Sequence, residues 1–78
     1  MQNVEIARLF EELADLLELD GANPFRVRAY RNASRTLEAL SADVATIVGR
    51  DPGELQQLEG IGKDLADKIV VIVRTGAL

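Results

Sequence analysis

Residues 55–69 run Leu-Gln-Gln-Leu-Glu-Gly-Ile-Gly-Lys-Asp-Leu-Ala-Asp-Lys-Ile, and no other stretch limits the fold so strongly. Gly60 and Gly62 flank one apolar residue, Ile61. Glycine reaches positive φ without a Cβ clash and lets another backbone come close. Glu59-Gly60-Ile61-Gly62 therefore reads as a tight hairpin between two helices. The second glycine opens a helix, and the first amides of a helix lack intrahelical acceptors. Gly60, Ile61 and Gly62 are thus expected to turn N–H groups outward, beside the charge of Lys63. Such amides bind a phosphate oxygen without reading a base. Ile61 is expected to plug the core, and Ala66 to let the helices approach closely. Leu58, Ile61, Ala66 and Ile69 stay in register across the turn, which separates this pattern from a bare Gly-x-Gly.

The remaining residues read as helices with short connections. Asn3 is the expected cap of a first helix. Its buried face is Ile6, Leu9, Phe10, Leu13, Leu16 and Leu17, at i, i+3, i+4 spacing. Asp20-Gly21 ends it. Asn23-Pro24 restarts a helix to Leu40, with asparagine as N-cap and proline at the first helical position. Phe25, Ala29, Ala33, Leu37 and Leu40 form its expected apolar stripe. Ser41 is the expected cap of a short third helix anchored by Val44, Ile47 and Val48 and ending at Gly49. Asp51-Pro52 opens a short fourth helix reaching about Leu58. A fifth runs from Lys63 to about Arg74, with Gly76 beyond its end. Ile69–Val73 is rich enough in β-branched residues to pass for a strand. No second alternating segment exists to pair with it, so it is read as helix. The fold class is all-α, a compact four-to-five-helix bundle in one domain, residues 1–78. Helix, glycine turn, helix occurs in both halves, which predicts two such units about a pseudo-two-fold axis.

Seventy-eight residues leave no room for a two-lobed enzyme, a Rossmann fold or a barrel. The chain has no cysteine and no histidine, which removes disulfides, thiol nucleophiles, zinc sites and histidine acid–base chemistry. A cysteine-free chain fits a reducing cytosol. The longest apolar run, Ile69–Val73, is far shorter than the roughly 20 residues a membrane span needs. The first seven residues do not resemble a secretory signal.

The net charge of −4 taken alone argues against a nucleic-acid partner. It is unevenly spread. Residues 1–20 carry a net −5, residues 21–35 a net +4, residues 36–59 a net −4 and residues 60–78 a net +1. The basic segment holds Arg26, Arg28, Arg31 and Arg35 and no acid. Arg28, Arg31 and Arg35 share a stripe opposite the apolar face: a phosphate track, or a solvated surface. Arg26 and Tyr30, four apart, flank the apolar face and either line a pocket for phosphate or sugar or only pack. Lys68 sits at the margin of the last helix's apolar stripe. A half-sheltered lysine has a lowered pKa and is a better amine nucleophile. The competing reading pairs Lys68 with Asp64, one turn earlier.

The hairpin resembles the helix-hairpin-helix motif. Together with Asn23-Pro24-Phe25-Arg26-Val27-Arg28-Ala29-Tyr30-Arg31, the stretch Leu58–Ile69 is similar to the N-terminal 8-kDa domain of family X DNA polymerases, especially the bacterial members; DNA polymerase beta is the best-known relative. The resemblance covers nearly the whole chain. It implies a domain that binds the downstream 5′-phosphate of gapped DNA. In several members that domain also removes 5′-deoxyribose phosphate by β-elimination through a lysine Schiff base. The resemblance implies Lys68 as the Schiff-base lysine, Tyr30 as a lining residue and Arg26 as a phosphate contact. It also implies a monovalent cation, Na+ or K+, on the backbone carbonyls of Gln56, Leu58 and Ile61. Four positions depart from the family pattern: Phe25 replaces a histidine, and Asp64, Gln56 and Ala77 replace lysines. An aspartate in a phosphate pocket repels the ligand.

Three functions follow as expectations. The first is non-sequence-specific binding of gapped or nicked DNA by Gly60, Ile61, Gly62, Lys63, Arg26, Arg28, Arg31 and Arg35. It implies a bacterial repair polymerase, a monomer in the cytoplasm beside the nucleoid, and no membrane partner. The second is an active lyase using Lys68. The third is a protein-interaction bundle, motivated by the acidic first helix and by Val70 and Val71. The chain ends before any polymerase palm domain, so it is expected to be an excised domain or a stand-alone relative.

Overall fold

A computed structural model describes residues 1–77. Helix α1 spans Asn3–Leu19, α2 Pro24–Ala39, α3 Val44–Arg50 and α4 Lys63–Thr75; a 3-10 helix, Pro52–Gln57, joins α3 to the hairpin. The described residues contain no strand, so Ile69–Val73 is helical. The Cα radius of gyration is 11.7 Å, close to the roughly 11.5 Å expected of a compact chain this long. No helix among the described residues is long and apolar enough to cross a membrane.

The core draws on every helix. Ile6 and Phe10 of α1, Leu37 of α2, Val44 of α3, Leu55 of the 3-10 helix and Ile69 and Ile72 of α4 are completely buried. Phe10 meets the Tyr30 ring edge-on, with centroids 5.7 Å apart and planes at 72°. The Ser34 hydroxyl, also buried, donates to the Ala7 carbonyl at 2.8 Å. That bond removes the cost of an unpaired polar group where α1 and α2 touch.

The turns follow local chemistry. Gly21 (φ +75°) and Gly60 (φ +76°) both take the left-handed conformation. After α1, the Gly21 amide donates to Glu18 O and the Ala22 amide to Leu17 O, which satisfies carbonyls left open at the helix end. Asn23 caps α2 by accepting from the Phe25 amide at 2.8 Å, and Pro24 occupies the first helical position. Gly76, at φ +79°, ends α4.

Several expectations need correction. Asn3 does not cap α1; Gln2 occupies the cap position and its amide donates to Glu5 Oε1 at 2.9 Å. The Asn3 side chain instead spans the α2–α3 link. It donates to the Leu40 and Ala42 carbonyls and accepts from the Val44 amide at 2.9 Å. Asp43, not Ser41, caps α3, accepting from Ala45 N at 3.0 Å. The expected fourth helix is a 3-10 segment ending at Gln57, capped by the Asp51 side chain on Gly53 N. Phe25 and Leu16 are exposed, at 74% and 61%. Phe25 lies in the first turn of α2, outside the core, and Val27 is buried in its place. Val70 is partly buried against the core, so Val71 alone of that pair is exposed.

Candidate nucleic-acid interface

The hairpin closes with an Ile61 N–H to Leu58 O bond of 3.1 Å. Only Gly60 needs glycine's conformational freedom. Gly62 has φ −86° and ψ −175°, an extended backbone open to any residue, which corrects the expectation of two left-handed glycines. A Cβ at Gly62 would meet nothing within 4 Å. Neither backbone angle nor internal packing therefore requires glycine there. Ile61 is 3% exposed and fills the core, whereas Gly60, Gly62 and Lys63 face solvent.

Gly62 is also the N-cap of α4, and no side chain caps it. Asn23, Asp43 and Asp51 each cap their own helices by accepting an amide hydrogen. The first turn of α4 thus presents amides that no side chain satisfies, at an exposed tip. One hydrogen bond and one close approach hold the tip on α2. The Thr36 hydroxyl donates to Glu59 O at 2.7 Å, and Gly60 lies close enough to Asn32 for an added Cβ to touch its Cβ at 3.9 Å. Neither Thr36 nor Asn32 belongs to the expected site. Their partners lie more than 20 residues away in sequence, and no hydrophobic period marks them.

A second cluster lies where α2 meets α4. Lys68 donates to Asp64 Oδ1 at 2.9 Å, and its side chain is 28% exposed. Asp64 also feels the positive charge of Arg26, and Tyr30 faces the Lys68 ammonium. The structure therefore brings Arg26, Tyr30 and Lys68 together, with Asp64 among them. The hydrogen bond to Asp64 dominates the Lys68 titration and raises its pKa; burial opposes it and Tyr30 reinforces it. This corrects the lowered pKa expected of a half-sheltered lysine. Asp64 is held below the ordinary aspartate range, first by its hydrogen bond with Lys68.

The arginine stripe is divided. Arg31 donates to Glu11 and Asp15 at 3.0 Å each and reaches Glu18 at 3.5 Å. It ties α2 to the acidic row of α1 and is no free phosphate contact. Arg28 and Arg35 form no ion pair among the described residues; Arg28 sits over the Phe25 ring at 5.5 Å, and Arg35 reaches Asn32 Oδ1 at 3.4 Å. Lys63 is exposed and pairs with Asp67 at 3.0 Å.

The carbonyls of Gln56, Leu58 and Ile61 are neutral oxygen donors, a set suited to a weakly held cation rather than to a caged divalent ion. Leu58 O already accepts the Ile61 amide, which leaves it a second lone pair for an ion. The donor set fits a monovalent cation.

Residues 1–78 match the family described as the helix-hairpin-helix domain, and the chain belongs to that family. It is also 36% identical, over 63 residues, to the N-terminal part of the DNA polymerase/3′-5′ exonuclease PolX of Bacillus subtilis (strain 168), a family X polymerase. The match covers 81% of this chain and 10% of that protein, so the chain spans about a tenth of its relative's length.

Proposed function

We propose that this domain grips the DNA sugar-phosphate backbone at gaps and nicks, including the 5′-phosphate side, without reading sequence. It does so as the N-terminal domain of a bacterial family X repair polymerase, whose palm domain lies in a longer parent chain. Gly62 carries the reading. It is a glycine with ordinary backbone angles and open space about its Cα, at the uncapped start of α4. Such a position suits the close approach of an external backbone. Amides of the first turn of α4 would donate to a phosphate oxygen, with Lys63 adding charge. A Na+ or K+ ion on the Gln56, Leu58 and Ile61 carbonyls would supply further positive charge beside that phosphate. Arg26 would assist from α2. The domain would act as a monomer in the cytoplasm, in base excision repair.

The test is binding of gapped DNA followed by fluorescence anisotropy across a salt series. A log K against log [salt] plot should fall with a slope of about −2 to −4, as expected when a few phosphates are neutralised. A flat plot between low and moderate salt contradicts the reading.

The grouping of Arg26, Tyr30 and Lys68 favours a second reading, 5′-deoxyribose-phosphate lyase activity. Lys68 Nζ would add to the C1′ aldehyde and expel water; loss of a C2′ proton from the resulting imine to solvent would then break the C3′–O bond and release the downstream strand with its 5′-phosphate. This chemistry needs a neutral amine. The Asp64 carboxylate keeps Lys68 protonated, so lyase turnover should be slow at neutral pH. Borohydride trapping on incised abasic DNA reads it directly; a crosslink that persists in Lys68→Ala excludes Lys68 as the nucleophile.

A further inference from the structure

β-Elimination at Lys68 needs a base for the C2′ proton as well as an amine for C1′. A carbon-bound proton leaves slowly to bulk water, and a positioned base speeds such a transfer by about 10²–10⁴-fold. The chain has no histidine, so the commonest base is missing and a carboxylate is the nearest substitute. The acids of α4 are Asp64 and Asp67. Asp67 is held by Lys63 at 3.0 Å. Asp64 lies one turn before Lys68, and its Oδ1 stands 2.9 Å from Nζ. The two flanks of Lys68 differ. Tyr30 faces the ammonium from the core and is buried, whereas the Asp64 side chain is 76% exposed. A sugar that reaches Nζ from solvent therefore arrives on the Asp64 side.

We propose that Asp64 is a catalytic residue of the lyase step, the general base that takes the C2′ proton of the Lys68 imine and passes it to solvent. The proposal rests on the reading of Arg26, Tyr30 and Lys68 as a lyase site. Ordinary bond lengths place C2′ about 2.5 Å from Nζ in an imine. A carboxylate oxygen already 2.9 Å from Nζ then comes within the roughly 3–3.5 Å that a reacting pair needs. The protonated imine keeps one N–H, so the bond that orients Asp64 survives the loss of water. Its positive charge also acidifies C2′. Arg26 adds a second positive charge beside the carboxylate and helps to keep it ionised. When the C2′–H bond breaks, its electron pair forms the C2′–C3′ double bond. The C3′–O bond breaks in turn, and its pair leaves with the phosphate of the downstream strand. The proton rests on the Asp64 carboxyl and exchanges with water, because that side chain is exposed. Water then hydrolyses the imine, which frees Lys68 and the unsaturated sugar phosphate. Asp64 thus acts in two opposed ways: it holds Lys68 protonated before the imine forms, and it drives elimination afterwards.

The test uses incised abasic DNA carrying 5′-deoxyribose phosphate, either unlabelled or deuterated at C2′, with protein in excess so that affinity does not enter. Borohydride trapping reads the imine, and release of the downstream strand reads elimination. Wild type is compared with Asp64→Asn, Asp64→Glu and Lys68→Ala, and circular dichroism verifies that the variants fold. Asp64→Asn should trap at least as much imine at neutral pH as wild type. It should release the strand about a hundredfold more slowly per trapped imine, the low end of what a positioned base contributes. Deuterium should slow its release more than that of wild type, because proton removal then limits the rate. Asp64→Glu should recover part of the loss, since it restores a carboxylate. A merely structural role for Asp64 would change trapping and release together, which contradicts the proposal. Unchanged release per imine in Asp64→Asn, with the crosslink still lost in Lys68→Ala, overturns Asp64 as the base and leaves Lys68 as the nucleophile. A wild-type protein that traps no imine overturns the lyase reading and the proposal with it.

Discussion

Asp64 and Lys68 show how one side chain changes what a neighbour can do. The hydrogen bond between them lowers the Asp64 pKa and raises that of Lys68. The pair therefore stabilises the fold above the ordinary aspartate pKa and below the ordinary lysine pKa. Its contribution is lost as pH falls through the lowered Asp64 value or rises through the raised Lys68 value. At neutral pH it is intact, and Lys68 is cationic. Asp64→Asn should shift the pH profile of borohydride trapping to lower pH and raise affinity for 5′-phosphorylated gaps several-fold, because one carboxylate no longer repels the phosphate. An unshifted profile contradicts the role given to Asp64. Ile61 makes a simpler case. It is almost fully buried beneath the hairpin, so Ile61→Ala should cost about 2–5 kcal/mol in chemical denaturation.

Helix α2 packs on α1 and holds the hairpin. Its Asn23-Pro24 start and the Gly76 end of α4 were legible because caps and stops are local: a side chain reaches an amide two residues away, and a glycine takes positive φ on its own. Phe25 was not legible, because its burial depends on whether another element covers the first turn of α2. Asn3 and Ser41 were misassigned as caps, and Asp43 was missed, for a related reason. Several polar residues can cap a nearby helix, and tertiary approach decides which one does. Arg31 and Thr36 were missed or misread because their partners come from α1 and from the hairpin, 13 to 23 residues distant. Arg31→Gln should lower the melting temperature by a few degrees at low salt and less at high salt, since partly exposed ion pairs are screened. It should leave the salt slope of DNA binding unchanged. A reduced slope would restore Arg31 as a phosphate contact. Thr36→Val removes the bond that anchors the hairpin and should cost about 1 kcal/mol, with DNA affinity falling in parallel.

Across the whole domain, the net charge of −4 no longer argues simply against a nucleic-acid partner. Three of the acids on α1 face Arg31 and serve the fold. Among the described residues, Arg26, Arg28 and Arg35 of α2 form no ion pair, and the hairpin docks alongside. An acidic body with a few local contacts should bind DNA weakly and by phosphate geometry rather than bulk attraction. In the proposed grip, the hairpin needs glycine at position 62 for a partner and not for itself. The direct measurement is Gly62→Ala, with thermal melting and gapped-DNA anisotropy on the same sample. The melting temperature should stay within a few degrees of wild type while affinity falls about tenfold, ~1.4 kcal/mol. A variant that melts normally and binds as tightly as wild type would contradict it.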